Sequence, residues 1–385
     1  MHYRAISADN HFNEPGDIYV KRVPAALKDR APRLVPTPDG GEAWLVNGVM
    51  PTKGISSFNG IVRLKGRLWK PEDYARFPIK HSDAPAGSYV PRIAIEEMEK
   101  DGVDASVWYP GLDTAMYGTR DKVLRLALMR AYNDWQSEFC SYNPDQLVAL
   151  AILPTEEDTP DEAITEMKRT LDMEFRGVLV PMFPKHRFWD RWWDPFWAAA
   201  QDADIGVHFH KGVGPRPNIG VFGDRTGPGM WCAGQVQADL TYTMPVGDLI
   251  FGGVLDRFPR LKIVAGEGRL AWLIHFIQRG DVSYKRHRFH QKLELKKLPS
   301  EYIQENLYNT FLEDRMGILM REYIGVDHQM WSCDYPHSDT TWPNSQALNR
   351  KQFEGIPEAD VRKMLVINAA KLYRLPSDEL DRDSR

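Results

Sequence analysis

Short apolar runs alternate with helical patterns along almost the whole chain. Each run is rich in Val, Ile or aromatic residues and is bounded by Gly, Pro or Asp, which is typical of buried strands. Strands that alternate with helices form parallel sheets with helical crossovers. The predicted strands are residues 5–8, 105–109, 147–153, 177–182, 205–210, 261–266, 306–311 and 329–333.

Helical patterns lie between these strands, and several carry start or stop signals. Pro160 and Pro195 stand in the first turns of two helices, where no backbone N–H is needed, and Gly102 follows the end of another. Eight strands in alternation with helices predict a (β/α)8 barrel. An open doubly wound sheet is the alternative, but the sequence lacks the Gly-rich phosphate turns typical of it. The predicted helices are residues 93–100, 122–142, 160–171, 194–203, 247–258, 270–281, 316–323, 344–353 and 359–372.

Two segments interrupt the alternation. Residues 16–90 are rich in Pro and Gly with scattered apolar positions, and a structureless loop of this length is rare in a compact domain. We therefore predict a folded insertion that caps the active face of a single barrel domain, residues 1–376. Residues 213–244 are rich in Gly, Pro, Asn and Asp and are predicted to be irregular, and residues 377–385 form a charged tail.

Composition and charge argue against several classes of protein. The 385 residues are 43% hydrophobic and 26% charged, which is ordinary globular usage. A net charge of −4 argues against a generally basic nucleic-acid binder. No apolar signal core or membrane-spanning run is present, so we expect a cytoplasmic protein without a membrane partner. The cysteines are too few and too widely spaced for a disulfide framework: Cys140, Cys232 and Cys333.

Polar residues suited to metal binding follow the first strand. Asp9 and His11 are two positions apart, so their side chains point to the same face. At the carboxyl end of a barrel strand, that face is the mouth where active sites lie. A carboxylate and an imidazole together suit Zn²⁺, Mn²⁺ or Fe²⁺. The alternative is a polar pair at a turn.

The fifth strand carries a second such pair. His208 and His210 lie two positions apart in a run predicted to be buried, where histidines need partners. His210 is nearer the carboxyl end and is the predicted ligand. His208 lies one layer deeper and is predicted to support a ligand or contact substrate. Histidines satisfied within the core are the alternative.

Acidic residues follow two further strands. Asp334 comes directly after the eighth strand and is followed by His337, so it can ligate a metal or accept a proton. Glu267 ends the sixth strand as a general base or an extra ligand, or as an acid in the first turn of the next helix. Four strand ends therefore converge on one site. The absence of a lysine in the fourth strand favours a single metal.

Motifs spread over the chain carry a family resemblance. They are ISADNHFNEP (6–15), DGVDASVWYP (101–110), AYNDW (131–135), DPFWA (194–198), DRFPRLKIV (256–264), WSCDYPHSD (331–339) and NAAKLY (368–373). With these the chain resembles the amidohydrolase-related family that includes amino-carboxymuconate-semialdehyde decarboxylase. The resemblance implies a distorted (β/α)8 barrel, a homodimer and one divalent metal, with zinc expected first and manganese or iron as alternatives. It also places Asp9, His11, His210 and Asp334 as the ligands.

One position departs from the decarboxylases that the chain resembles. They usually carry a histidine at the end of the sixth strand, where this chain has Glu267. The departure favours a metal-dependent hydrolase, in which a metal lowers the pKa of bound water. Asp334 or Glu267 would accept the proton, and His337 or His208 would polarise an amide, ester or thioester carbonyl.

Two other functions stay open. The first is a non-oxidative decarboxylase of an aromatic or unsaturated carboxylic acid, in which Asp334 or His208 protonates the carbon that loses carbon dioxide. The second is a non-catalytic barrel, which the four predicted ligands argue against. In either enzymatic case the expected partner is a small-molecule substrate.

Overall fold

The computed structural model describes residues 3–49, 63–64, 67–68, 79–111, 116–214 and 229–378. Every strand predicted from the apolar runs is present, and the run at 147–153 is divided into two short strands. The strands are β1 (Ile6–His11), β2 (Arg33–Pro36), β3 (Glu42–Leu45), β4 (Arg63–Leu64), β5 (Arg67–Leu68), β6 (Ala105–Tyr109), β7 (Leu147–Ala149), β8 (Ala151–Ile152), β9 (Gly177–Leu179), β10 (Gly206–His210), β11 (Lys262–Gly266), β12 (Leu307–Phe311) and β13 (Gln329–Trp331).

Parallel pairing runs around a barrel. Strand β6 lies between β1 and β7, and strands β8 to β13 form one sheet in sequence order. β7 and β8 are separated by Leu150 alone and join the two sheets. Between β13 and β1, Asn10 bridges Tyr335 in parallel, and the Asp334 N–H donates to the Asp9 carbonyl oxygen at 3.0 Å. The predicted (β/α)8 barrel is therefore confirmed.

Helices alternate with the barrel strands. They are Ile18–Arg22, Pro91–Asp101, Lys122–Cys140, Asp161–Leu171, Asp194–Asp202, Met230–Ala238, Thr243–Phe251, Val254–Arg257, Ala271–Gln291, Pro299–Asn306, Arg315–Leu319, Arg321–Ile324, Ser345–Gln352, Glu358–Arg362 and Asn368–Leu372. A π-helical turn, Lys363–Ile367, joins the last two. No helix among the described residues combines the length and apolar character needed to cross a membrane.

Several predicted boundaries were wrong, including the helix at 316–323, which is divided at Met320. The helix predicted at 270–281 runs instead from Ala271 to Gln291, and it passes through Gly280, where an added Cβ would lie 3.1 Å from Pro299 Cβ. The segment 213–244 is helical from Met230, and residues 215–228 lie outside the described part. The helix predicted at 247–258 begins earlier and is divided at Gly252 and Gly253.

Part of residues 16–90 packs against the helix Lys122–Cys140, which the helix Ile18–Arg22 contacts. Strands β2 and β3 form an antiparallel hairpin. The Tyr19 ring lies 6.5 Å from the Tyr132 ring and 6.1 Å from the Trp44 ring, so helix and hairpin join one aromatic cluster. Much of the middle of this insertion and residues 379–385 lie outside the described residues. The cap over the active face therefore stays a prediction.

Candidate active site

Four side chains meet at the carboxyl ends of the barrel strands. The Nε2 atom of His11 lies 3.3 Å from Asp9 Oδ1 and 3.3 Å from Asp334 Oδ1. The Nε2 atom of His210 lies 3.3 Å from Asp9 Oδ2. Asp9 and His11 come from β1, His210 ends β10, and Asp334 follows β13. The structure thus brings the four predicted ligands together.

The spacing of these atoms fits a divalent cation. Within the described part of the chain, Asp9 Oδ1, Asp334 Oδ1 and the Nε2 atoms of His11 and His210 are buried without a hydrogen-bond partner. Buried polar atoms left unpaired cost roughly 1–3 kcal/mol each. Ligands about 2.1 Å from a tetrahedral metal lie about 3.4 Å from one another, close to the observed separations. The ligand atoms of Asp9, His11 and His210 lie within 4.8 Å of one another, and so do those of His11, Asp334 and His337, so His11 is shared by two overlapping groups that could hold a cation.

The charges of the site support the same conclusion. Burial opposes ionisation of Asp9, but His210 and His11 outweigh it and hold the pKa of the carboxyl well below its ordinary value. Burial likewise opposes the charge on His11, but Asp334 and Asp9 raise the pKa of this imidazole well above its ordinary value. The two carboxylates stay ionised and favour positive charge between them.

A left-handed backbone conformation directs Asp334 into the site. Its φ is +55°, which Asp and Asn tolerate better than most residues. The His337 N–H donates to the Asp334 carbonyl oxygen at 2.9 Å, and the His337 Nδ1 atom is hydrogen-bonded to Asp334 Oδ2 at 3.0 Å. The side chain of His337 is partly exposed. The His337 ring stacks on His11 with centroids 4.0 Å apart. His337 therefore lies at the rim of the site.

Glu267 borders the site but is paired with a lysine. Its Oε2 atom lies 3.8 Å from His210 Nε2, and its Oε1 atom lies 2.6 Å from the ammonium of Lys211. Lys211 also lies 3.6 Å from Asp239 Oδ1. Burial disfavours the charge on Lys211, but Glu267 and Asp239 raise its pKa above the ordinary value. The Glu267 carboxylate thus belongs to a buried ion pair.

Lys211→Met is expected to lower the free energy of unfolding by about 3 kcal/mol, because it leaves the buried Glu267 carboxylate without its cation. Urea unfolding of the metal-free proteins measures the change. Lys185→Met is the control, since Lys185 pairs with Asp158 at the surface, and it should shift stability by less than about 1 kcal/mol. Equal stability of Lys211→Met and wild type would contradict the role of the pair.

His208 lies below the ligands and does not join them. Its Nδ1 atom lies 2.7 Å from the Tyr109 hydroxyl, and its ring stacks on Tyr373 at 5.7 Å. Burial lowers the pKa of His208 to about 3, so the imidazole is neutral at neutral pH. A Cβ added to Gly177 would lie 2.9 Å from His208 Nε2, so this glycine makes room for the ring.

Sequence reasoning missed three residues at the site. Tyr109 ends β6 and packs its ring 4.8 Å from that of His210. Lys211 follows the predicted ligand directly and pairs with Glu267. Thr310 in β12 contacts Asp9. All three residues carry a polar group at or next to the carboxyl end of a barrel strand. A search of these strand ends that includes hydroxyls and lysines, as well as acids and histidines, would find them.

The comparison with known families agrees with the fold. The amidohydrolase family profile matches residues 101–375, more than two thirds of the chain. The chain belongs to the amidohydrolase family. This amidohydrolase is therefore an enzyme of a metal-dependent superfamily, and the resemblance identified in its sequence is confirmed. Two of its candidate ligands, Asp9 and His11, precede the matched range.

Solved structures resemble this amidohydrolase over nearly its full length. An amidohydrolase of Mycobacterium avium subsp. paratuberculosis is 20% identical, with a TM-score of 0.73 over 97% of this chain and 100% of its own. The 5-carboxyvanillate decarboxylase of Sphingomonas paucimobilis is 20% identical, with a TM-score of 0.66 over 97% and 99%. A dihydroxybenzoic acid decarboxylase of Polaromonas, solved with manganese and 2-nitroresorcinol, is 18% identical, with a TM-score of 0.63 over 98% and 99%. These likenesses show a common fold.

Proposed function

We propose that this amidohydrolase is a metal-dependent decarboxylase of an aromatic or unsaturated carboxylic acid. The observation that carries the proposal is the ion pair between Glu267 and Lys211, whose charged atoms lie 2.6 Å apart. The hydrolase interpretation named Asp334 or Glu267 as the base, and the ammonium of Lys211 neutralises the Glu267 carboxylate. Two of the solved structures that resemble the chain are decarboxylases of hydroxylated aromatic acids, which supports the same choice.

One divalent ion, zinc or manganese, is proposed to be held by Asp9, His11, His210 and Asp334. Two carboxylates and two imidazoles suit either ion. When bound, such an ion polarises substrate oxygens and stabilises the negative charge that develops as carbon dioxide leaves. The two carboxylates supply the charge that retains the ion, and the stacked ring of His337 fixes the orientation of His11.

Asp334 and His337 are proposed to supply the proton that replaces the carboxylate on the substrate. The Nδ1 atom of His337 is hydrogen-bonded to Asp334 Oδ2 at 3.0 Å, which leaves Nε2 as the atom that carries the proton to carbon. His337 is the more exposed partner, so the proton can be replenished from water. His208 is less suited to this role because it is fully buried below the ligands.

Hydrolysis is the second candidate, favoured by one distance. Glu267 Oε2 lies 3.8 Å from His210 Nε2, so a carboxylate does border the ligands and could accept a proton from an attacking water. This role requires Lys211 to release Glu267 during turnover. The two candidate reactions can be distinguished by isotope labelling. Decarboxylation places deuterium from deuterated water on a carbon of the product, whereas hydrolysis places ¹⁸O from labelled water in the product.

The test is turnover of a panel of hydroxybenzoates and carboxyvanillates by the metal-loaded enzyme in deuterated water. We expect carbon dioxide release and one deuteron on the carbon that carried the carboxylate. His337→Gln should slow this reaction by about 10²-fold, whereas His287→Gln, on the exposed end of a helix, should not. Incorporation of ¹⁸O from labelled water into an ester, amide or thioester product, without carbon dioxide release from any acid, would establish hydrolysis instead.

A further inference from the structure

A buried threonine hydroxyl connects two of the strand ends at the site. The Glu267 N–H donates to Thr310 Oγ1 at 2.6 Å, and the Thr310 hydroxyl lies 3.3 Å from Asp9 Oδ2, to which it donates. Thr310 is fully buried, so water does not compete for either contact. Strand β12, which offers no acid or histidine to the site, contributes through this hydroxyl.

The contact distinguishes the two oxygens of Asp9. Oδ2 accepts from Thr310 and lies 3.3 Å from His210 Nε2, whereas Oδ1 is buried without a hydrogen-bond partner in the described part of the chain and lies 3.3 Å from His11 Nε2. A carboxylate held at one oxygen has lost the freedom to rotate, and its other oxygen is fixed in direction. Hydrogen bonds of this kind orient ligand side chains in metal sites.

We propose that Thr310 is a positioning residue that holds Asp9 at Oδ2 and so orients its carboxylate between His11 and His210 for metal binding. The inference rests on the metal ligation proposed above and is independent of whether the reaction is decarboxylation or hydrolysis. The proposal gives β12, the seventh strand of the barrel, a role in the metal site.

The backbone around Thr310 is fixed on both sides, which makes the hydroxyl a rigid support. Its carbonyl oxygen accepts from the Arg269 N–H at 2.8 Å, and the residue pairs in register with Met330 of β13. The branched Cβ restricts the χ1 angle of threonine. Serine keeps the hydroxyl without the methyl group, whereas valine keeps the shape without the hydroxyl, so the two substitutions separate these properties.

The experiment is a titration of metal-free protein with Mn²⁺, followed by the electron paramagnetic resonance signal of the free ion. Thr310→Val is expected to weaken binding by about 10- to 100-fold, and Thr310→Ser is expected to stay close to wild type. The matched control is Thr170→Val, because Thr170 is an equally buried threonine whose hydroxyl bonds only to its own helix. It should leave Mn²⁺ affinity unchanged.

The outcomes separate the two proposals. Unchanged Mn²⁺ affinity in a folded Thr310→Val would overturn the role of Thr310 and leave the metal site standing. Absence of Mn²⁺ and Zn²⁺ binding in wild type would overturn both. Thermal unfolding of the metal-free proteins monitors folding. If Thr310→Val does not fold, the Thr310→Ser variant decides the test. An Mn²⁺ affinity of Thr310→Ser well below that of wild type would then contradict the proposal.

Discussion

Asp334→Asn is expected to lower turnover by roughly 10²–10⁴-fold and to abolish stoichiometric metal binding. The substitution removes the negative charge that lies 3.3 Å from His11 Nε2 and 2.9 Å from His337 Nδ1. Asparagine has nearly the same shape and tolerates the same left-handed backbone, so the turn after β13 should be retained. The loss therefore reports the charge of Asp334 rather than damage to the barrel.

Elemental analysis and steady-state rates measure the two effects. Asp327→Asn is the matched control, because Asp327 precedes the same strand and pairs with Lys363 at the surface. It should retain wild-type activity and about one zinc or manganese per chain. An Asp334→Asn enzyme with full metal content and turnover would remove Asp334 from the site.

Gly266→Ala is expected to lower metal affinity or turnover by about 10²-fold, although it adds only one methyl group. The new Cβ would lie 2.9 Å from His210 Cδ2 and 2.9 Å from the Tyr109 hydroxyl. Gly266 and His210 are register partners in neighbouring strands, so the backbone cannot separate them without breaking the pairing. His210 must move instead, and a displacement of about 1 Å at a reacting centre is sufficient for such a loss.

Gly247→Ala provides the control for this change. Gly247 lies within the helix Thr243–Phe251, and an added Cβ meets no atom within 4 Å. Alanine there should raise the free energy of unfolding by about 0.5–1 kcal/mol and leave catalysis unchanged. Metal titration and rates of both variants make the comparison. Wild-type behaviour of Gly266→Ala would show that His210 has room to adjust.

The barrel could be predicted because its strands have a distinctive sequence pattern. Parallel strands covered by helices are buried on both faces, so they appear as continuous apolar runs such as Ala105–Tyr109. The topology then places every strand end at one mouth, which brings Asp9 and Asp334 together from opposite ends of the chain. Spacing along β10 also predicted the depth of His208 relative to His210.

The partners of these residues could not be predicted in the same way. Lys211 pairs with Glu267 only because β10 and β11 are neighbours, and the pairing depends on side-chain rotamers that sequence does not specify. The helix that begins at Met230 was hidden by its surrounding Gly and Pro residues. Tertiary contacts anchor this region, since the Tyr242 hydroxyl donates to the Gly266 carbonyl oxygen.

Strands β13 and β1 close the barrel at the proposed metal site, so binding of an ion there would also affect the stability of the folded chain. Asp9 and Asp334 are joined there by a backbone hydrogen bond, and their two negative charges face each other across a single histidine. An ion that binds only the closed barrel stabilises it by about 2.7 kcal/mol at a concentration one hundred times its dissociation constant. We therefore expect the free energy of unfolding to rise with the concentration of the proposed metal ion.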